Sequence, residues 1–152
     1  MIQCLFLVSR QGKTRLTKWY NQSLTTREKQ RFLKEINSLV LTRGQKMCNF
    51  LEYVEYKIVY KRYASLYFIV ICDKEDNELL ILEIIHHFVE VLDKYFGNVC
   101  ELDLIFNFHK AYYILDELLL GGFLQEPSKK IILKAITSQE ALIEEGNDDQ
   151  SK

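Results

Sequence analysis

Three groups of residues carry the types and spacings from which chemistry is built. Gly12-Lys13-Thr14 has the ending of a phosphate-binding loop, in which backbone amides cradle phosphates and a lysine reaches the terminal one. That loop needs a glycine five positions before Gly12, where this chain carries Leu7, so the segment reads as a hairpin turn. Glu83-Ile84-Ile85-His86 sets a carboxylate and an imidazole one helical turn apart, the ligand spacing of di-iron helices. Such a centre needs a second copy and further carboxylates on facing helices; neither occurs, so Glu83, His86 and His87 read as the polar edge of a helix and no metal is expected. His109 stands alone, and neither H-E-x-x-H nor G-x-S-x-G is present. The third group, Arg10, Lys13, Arg15 and Lys18, makes the first hairpin basic. Its plain reading is an edge strand whose charges discourage pairing with strangers. Its functional reading is a docking point for an acidic group, best served by Arg15, because a guanidinium holds a carboxylate with two parallel bonds. No enzyme is expected, and no cofactor.

The totals narrow the class further. A chain of 152 residues that is 48% hydrophobic builds one domain with a core of ordinary size. A formal charge of −1 removes the basic bias of a nucleic-acid binder and leaves no strong pull toward anionic lipid, so membrane association is expected only through partners. Cys4, Cys48, Cys72 and Cys100 sit in or beside apolar segments and never as C-x-x-C, which reads as small core residues of a reduced compartment without disulfides. The first eight residues are apolar but have no basic start, and no apolar stretch reaches about 18 residues. A cytoplasmic protein is expected.

The elements that must position these groups are organised around Leu66-Tyr67-Phe68-Ile69-Val70-Ile71-Cys72, an apolar run with charge on both sides, which predicts a central strand buried on both faces. Residues 2–8 predict an inner strand and 13–20 an edge strand, reversed at Gly12. Thr25-Thr26-Arg27-Glu28 matches a capping box, and Phe32, Leu33, Ile36, Leu39 and Val40 recur at helical spacing up to a stop at Gly44. Residues 49–54 and 57–60 predict two more strands, turning at about Glu55-Tyr56. A long helix follows, capped by Asp76 or Asn77, with Ile81, Ile84, Ile85, Phe88, Val89, Leu92, Tyr95 and Phe96 on its apolar stripe and Gly97 as its stop. One further helix is expected over 101–120, with Leu104, Ile105, Phe108, Tyr112, Leu115 and Leu119 inward and Gly121-Gly122 at its end. Residues 127–143 predict a shorter helix, and 144–152 a disordered acidic tail. The order β-β-α-β-β-β-α-α with short links gives an α+β domain over 1–143, mainly antiparallel and flanked by helices.

Read together, Ser9-Arg10-Gln11-Gly12-Lys13, residues 57–68 (KIVYKRYASLYF), Asp76-Asn77-Glu78-Leu79 and residues 92–103 (LDKYFGNVCELD) closely resemble the small (sigma) chain of the heterotetrameric clathrin adaptor complexes. The resemblance runs from Met1 to about Ala135. Residues 61–65, 93–97 and 107–112 are most similar to the trans-Golgi and endosomal type. The resemblance implies a longin-like fold, a five-stranded antiparallel sheet between helices. It implies packing against the trunk of a gamma-type large chain, beside a beta large chain and a medium mu chain, with clathrin reached indirectly. It also implies a task, holding acidic dileucine signals, [D/E]-x-x-x-L-[L/I], in cargo tails on trans-Golgi network and endosome membranes. By matching motif, the leucine pocket would be lined by Ala64, Leu66, Val89, Asn98, Val99 and Leu104, and Arg15 would face the acidic residue. A purely architectural subunit, which stabilises the complex without reading cargo, is the alternative. Cys4 stands where many relatives have an aromatic, which alters packing beneath the first hairpin.

Overall fold

The apolar run at 66–72 becomes the middle strand of a five-stranded sheet. The computed structural model describes residues 1–44, 48–120 and 123–124; the expected helix over 127–143 and the tail at 144–152 lie outside these. In chain order the sheet is built from β1 (Ile2–Ser9), β2 (Thr14–Trp19), β3 (Phe50–Tyr53), β4 (Tyr56–Tyr63) and β5 (Leu66–Asp73). Their spatial order is β2-β1-β5-β4-β3, and every neighbouring pair is antiparallel. Side chains of β5 alternate between two cores, as a pleated strand requires. Leu66, Phe68, Val70 and Cys72 face one, Ile69 and Ile71 the other.

Each face receives its own helices. α1 (Thr26–Thr42) lays Ile36 and Val40 over Cys4, Phe6, Val8, Ile58 and Ile69. Its capping box forms as expected, with the Thr25 N–H donating to Glu28 Oε2 at 2.7 Å and the Glu28 N–H to Thr25 Oγ1 at 3.2 Å. Cys4 is wholly buried in this core, where desolvation pushes its thiol pKa up. The opposite face carries α2 (Glu78–Phe96), α3 (Glu101–Phe106) and α4 (Phe108–Leu118). Asn77 caps α2 by accepting from the Leu79 N–H at 2.9 Å, and Gly97 ends it with a φ of 65°.

Four expectations need correction. α1 ends because Arg43 turns extended at φ −74°, ψ 140°, so Gly44 is not its left-handed cap, and Leu39 stays 39% exposed at the rim. The β3–β4 turn is Val54-Glu55, with Val54 in the left-handed region at φ 53°, and residues 61–63 belong to β4. The single helix over 101–120 is two helices. Asn107, at ψ 39°, lies far from the helical value, and its short polar side chain suits a break better than a helix interior. The break turns α4 so that Ala111, Ile114 and Leu118 are buried, leaving Ile105 and Phe108 at 40% and 55% exposure. Finally, α4 passes into a short hairpin, β6 (Leu119–Leu120) with β7 (Phe123–Leu124), rather than stopping at Gly121-Gly122.

Lys57 joins the sheet to the start of α2. Its ammonium donates to Glu78 Oε1 at 2.8 Å and to the Asp76 carbonyl at 3.0 Å. That bond holds the Glu78 carboxyl below its ordinary 4.5 and raises Lys57. A carboxyl with a depressed folded pKa adds stability that is complete above its unfolded value and lost as pH falls through the folded one. The gap in thermal midpoint between wild type and Glu78→Gln is therefore expected to be full near neutrality and to narrow below about pH 4.5; a gap of the same size at every pH contradicts this.

Candidate functional site

Two turns and two helices meet at one end of the sheet. The β4–β5 turn begins at Ala64, which is exposed and held at φ 53°, in the left-handed region that L residues adopt uncommonly. The link from α2 to α3 begins with Gly97 and Asn98, both left-handed at 65° and 64°; asparagine tolerates that region because its short amide bonds locally. Asp93, one turn before the end of α2, ties the two turns together. Its Oδ1 accepts from the Tyr63 hydroxyl at 2.9 Å and from the Val99 N–H at 3.0 Å. Its backbone carbonyl accepts from the N–H groups of Gly97 at 2.8 Å and Asn98 at 3.2 Å. The carboxylate at its hydroxyl raises the Tyr63 pKa, so that proton stays on the ring oxygen.

Beneath these turns lie the apolar residues singled out by the sequence. Leu66, Val89, Val99 and Leu104 belong to one continuous cluster, at 0%, 6%, 2% and 1% exposure, with Leu16 of β2 beside them. Ala64 and Asn98 are exposed on the turns above. The structure thus places four of the six in the core on the α2 side of the sheet and leaves two exposed on the turns. With so little surface left on the four walls, a ligand's leucine enters only if one of them moves.

Arg15, beside Leu16 of β2, reaches the start of α3. Its Nε and Nη2 both reach Glu101 Oε1 at 2.7 Å, and each side chain is 24% exposed. Glu101 and Leu104 are three residues apart on α3, hence on one helical face. The guanidinium and the apolar cluster are therefore contiguous through a single turn of helix. Of the other basic residues in the hairpin, Lys18 pairs with Asp116 of α4 at 3.2 Å.

Two residues that hold the site were not given a role in the sequence, and a third, Tyr112, was read only as an apolar position. Asp93 and Glu101 act through partners 6 to 86 positions away, which no local spacing reveals. Tyr112 of α4 uses one hydroxyl twice, donating to the Thr17 carbonyl and accepting from the Thr17 N–H, both at 2.9 Å. It thereby covers the open backbone edge of β2, a second protection beside the hairpin's charges. A surface cleft of about 560 Å³ lies elsewhere, on the α1 side, lined by Arg31, Lys34, Glu35, Ser38, Leu39 and Tyr53. Among the described residues no group of three or more His, Cys, Asp or Glu side chains is placed to hold a metal ion.

The sequence and the fold have counterparts among known proteins. The profile of a family described as clathrin adaptor complex small chain matches residues 1–142. AP-1 complex subunit sigma-2 of Dictyostelium discoideum is 69% identical over 142 residues, covering 93% of this chain and 92% of that one. AP-1 complex subunit sigma-1A of Homo sapiens is 54% identical over 151 residues, covering 99% and 95%. A chain in a homology model of the full-length AP-3 complex in a stretched open conformation superposes with a TM-score of 0.76 at 28% identity, covering 98% and 99%.

Asp93→Ala is expected to cost about 1–3 kcal/mol, because the Val99 N–H and the Tyr63 hydroxyl both lose their partner. Tyr63→Phe, which removes one bond and leaves the other, is expected to cost about 1 kcal/mol. Denaturant titration of both variants checks the order, and equal losses contradict the bridging role.

Proposed function

This chain belongs to the clathrin adaptor complex small chain family, and we propose that it acts as a non-enzymatic small subunit that grips acidic dileucine signals in cargo tails. Membership makes it a small subunit of an adaptor complex engaged in vesicle traffic. On the proposed reading it sits against the trunk of a gamma-type large chain, with a beta large chain and a mu chain alongside. It works at the cytosolic face of trans-Golgi network and endosome membranes, which it reaches only through the complex, as it reaches clathrin. No helix among the described residues is long and apolar enough to cross a membrane.

The observation that carries the reading is that Arg15 pairs with Glu101 one helical turn from Leu104, which shares one core with Leu66, Val89 and Val99. An acidic side chain followed after a short interval by two leucines presents the complementary order of charge and grease. Asn98 offers an amide to an extended peptide backbone at the rim, and Ala64 is small enough to let that backbone pass. Burying two leucines is worth roughly 3 to 6 kcal/mol gross, and ordering a flexible tail takes back about 2 to 5. Affinity is then micromolar or weaker, with useful sorting from many contacts on one coat. An architectural subunit without cargo reading is favoured by one observation, the near-complete burial of the four apolar walls.

The assembled complex titrated with an acidic dileucine peptide separates the two. Arg15→Ala is expected to weaken binding about 10- to 100-fold, the worth of a hydrogen-bonded charge. Asn98→Gly, which keeps the left-handed backbone and removes the amide, is expected to weaken it about fivefold. Co-purification of the complex stays intact in both. Unchanged binding in Arg15→Ala contradicts the proposal.

A further inference from the structure

We propose that Glu101 is an internal occupant of the acid-binding position, a specificity-determining residue that latches α3 over the leucine cluster until a cargo carboxylate replaces it. This inference rests on the cargo reading above. Its first support is geometric: Arg15, the cation assigned to the cargo's acid, already holds a carboxylate at 2.7 Å through both Nε and Nη2. Both contacts converge on a single oxygen, Oε1. A ligand carboxylate that accepts on both oxygens in parallel makes the stronger arrangement.

The second support is the way α3 is fastened. Only Leu104 of its six residues is buried, while Leu102, Ile105 and Phe106 are 59%, 40% and 73% exposed. The helix is bounded by the left-handed pair Gly97-Asn98 on one side and by the break at Asn107 on the other. The remaining walls of the slot sit on long, two-sided elements, Leu66 on β5 and Val89 on α2. Moving α3 therefore disturbs one buried side chain, that of Leu104. Glu101 and Leu104 share one face, so the same displacement frees the guanidinium and vacates apolar volume. The replacement is at the acid: a ligand carboxylate takes the place of Glu101 on Arg15, and a ligand leucine lies against Leu104. A peptide without the acid breaks the latch and puts nothing in its place, which is how Glu101 enforces the acidic position of the signal.

The test uses the full chain in its assembled complex, an acidic dileucine peptide, and the variants Glu101→Gln, Arg15→Ala and the double variant, followed by calorimetric titration. Glu101→Gln is expected to tighten binding about fivefold, the worth of an ion pair at the upper end for partly exposed groups. The double variant is expected to match Arg15→Ala alone. Amide exchange over residues 101–106 without peptide is expected to be faster in Glu101→Gln than in wild type. If Glu101→Gln leaves affinity unchanged or lowers it while Arg15→Ala still loses binding, the latch is overturned and the cargo reading stands. If the gain persists in the Arg15→Ala background, Glu101 acts as a bulk charge and the latch is likewise overturned. If Arg15→Ala has no effect, the cargo reading fails and takes the latch with it.

Discussion

A strand packed on both faces allows no slip in register: moving β5 by one residue against β1 would exchange Phe68 and Val70 with Ile69 and Ile71 between two cores of different shape. That constraint sets the ends of the strand as firmly as its middle. Leu66 is paired with Ser9 on one side and Tyr63 on the other, so the turn at Ala64 has one place it can be. Asp93 then fixes the α2–α3 link against that turn through Tyr63 and Val99. The geometry of the candidate site is inherited from the register of the central sheet.

The two faces divide the work. On the α1 side, Phe6, Ile36, Ile58 and Ile69 form a core closed by a capped helix, with the Tyr60 hydroxyl at its edge bonded to Arg43 and the Cys48 carbonyl. On the other side the same burial that stabilises the domain supplies the walls of the candidate slot. Leu66, Val89, Val99 and Leu104 are core residues here, and a ligand that inserts between them exchanges one apolar contact for another. On the proposed reading, the charge contact at Arg15 is what favours the occupied arrangement over the closed one.

Much of this was legible beforehand, for reasons specific to each element. The run at 66–72 is too short and too β-branched for a lone helix and flanked by charge, so its place at the sheet centre followed from composition. Thr25 and Glu28 announce a helix start through a reciprocal bond that depends on three residues of spacing and nothing else. The helix over 101–120 misled because its apolar positions fit a continuous stripe; only the tertiary packing of Ala111 and Ile114 shows that the backbone breaks at Asn107. At the site, guanidinium chemistry pointed to Arg15, and the resemblance supplied its partner and the six pocket positions. Glu101 and Asp93 escaped notice because a carboxylate bonding across the fold leaves no trace in local spacing.

The account turns on whether a peptide leucine enters beside Leu104, with its acid on Arg15. A crystal structure of the assembled complex soaked with an acidic dileucine peptide tests this most directly. The account predicts a leucine side chain between Leu66, Val89 and Val99, a peptide carboxylate on the Arg15 guanidinium, and Glu101 turned away with α3 shifted. A peptide bound elsewhere, or an empty cluster with Glu101 still on Arg15 at saturating peptide, would contradict it.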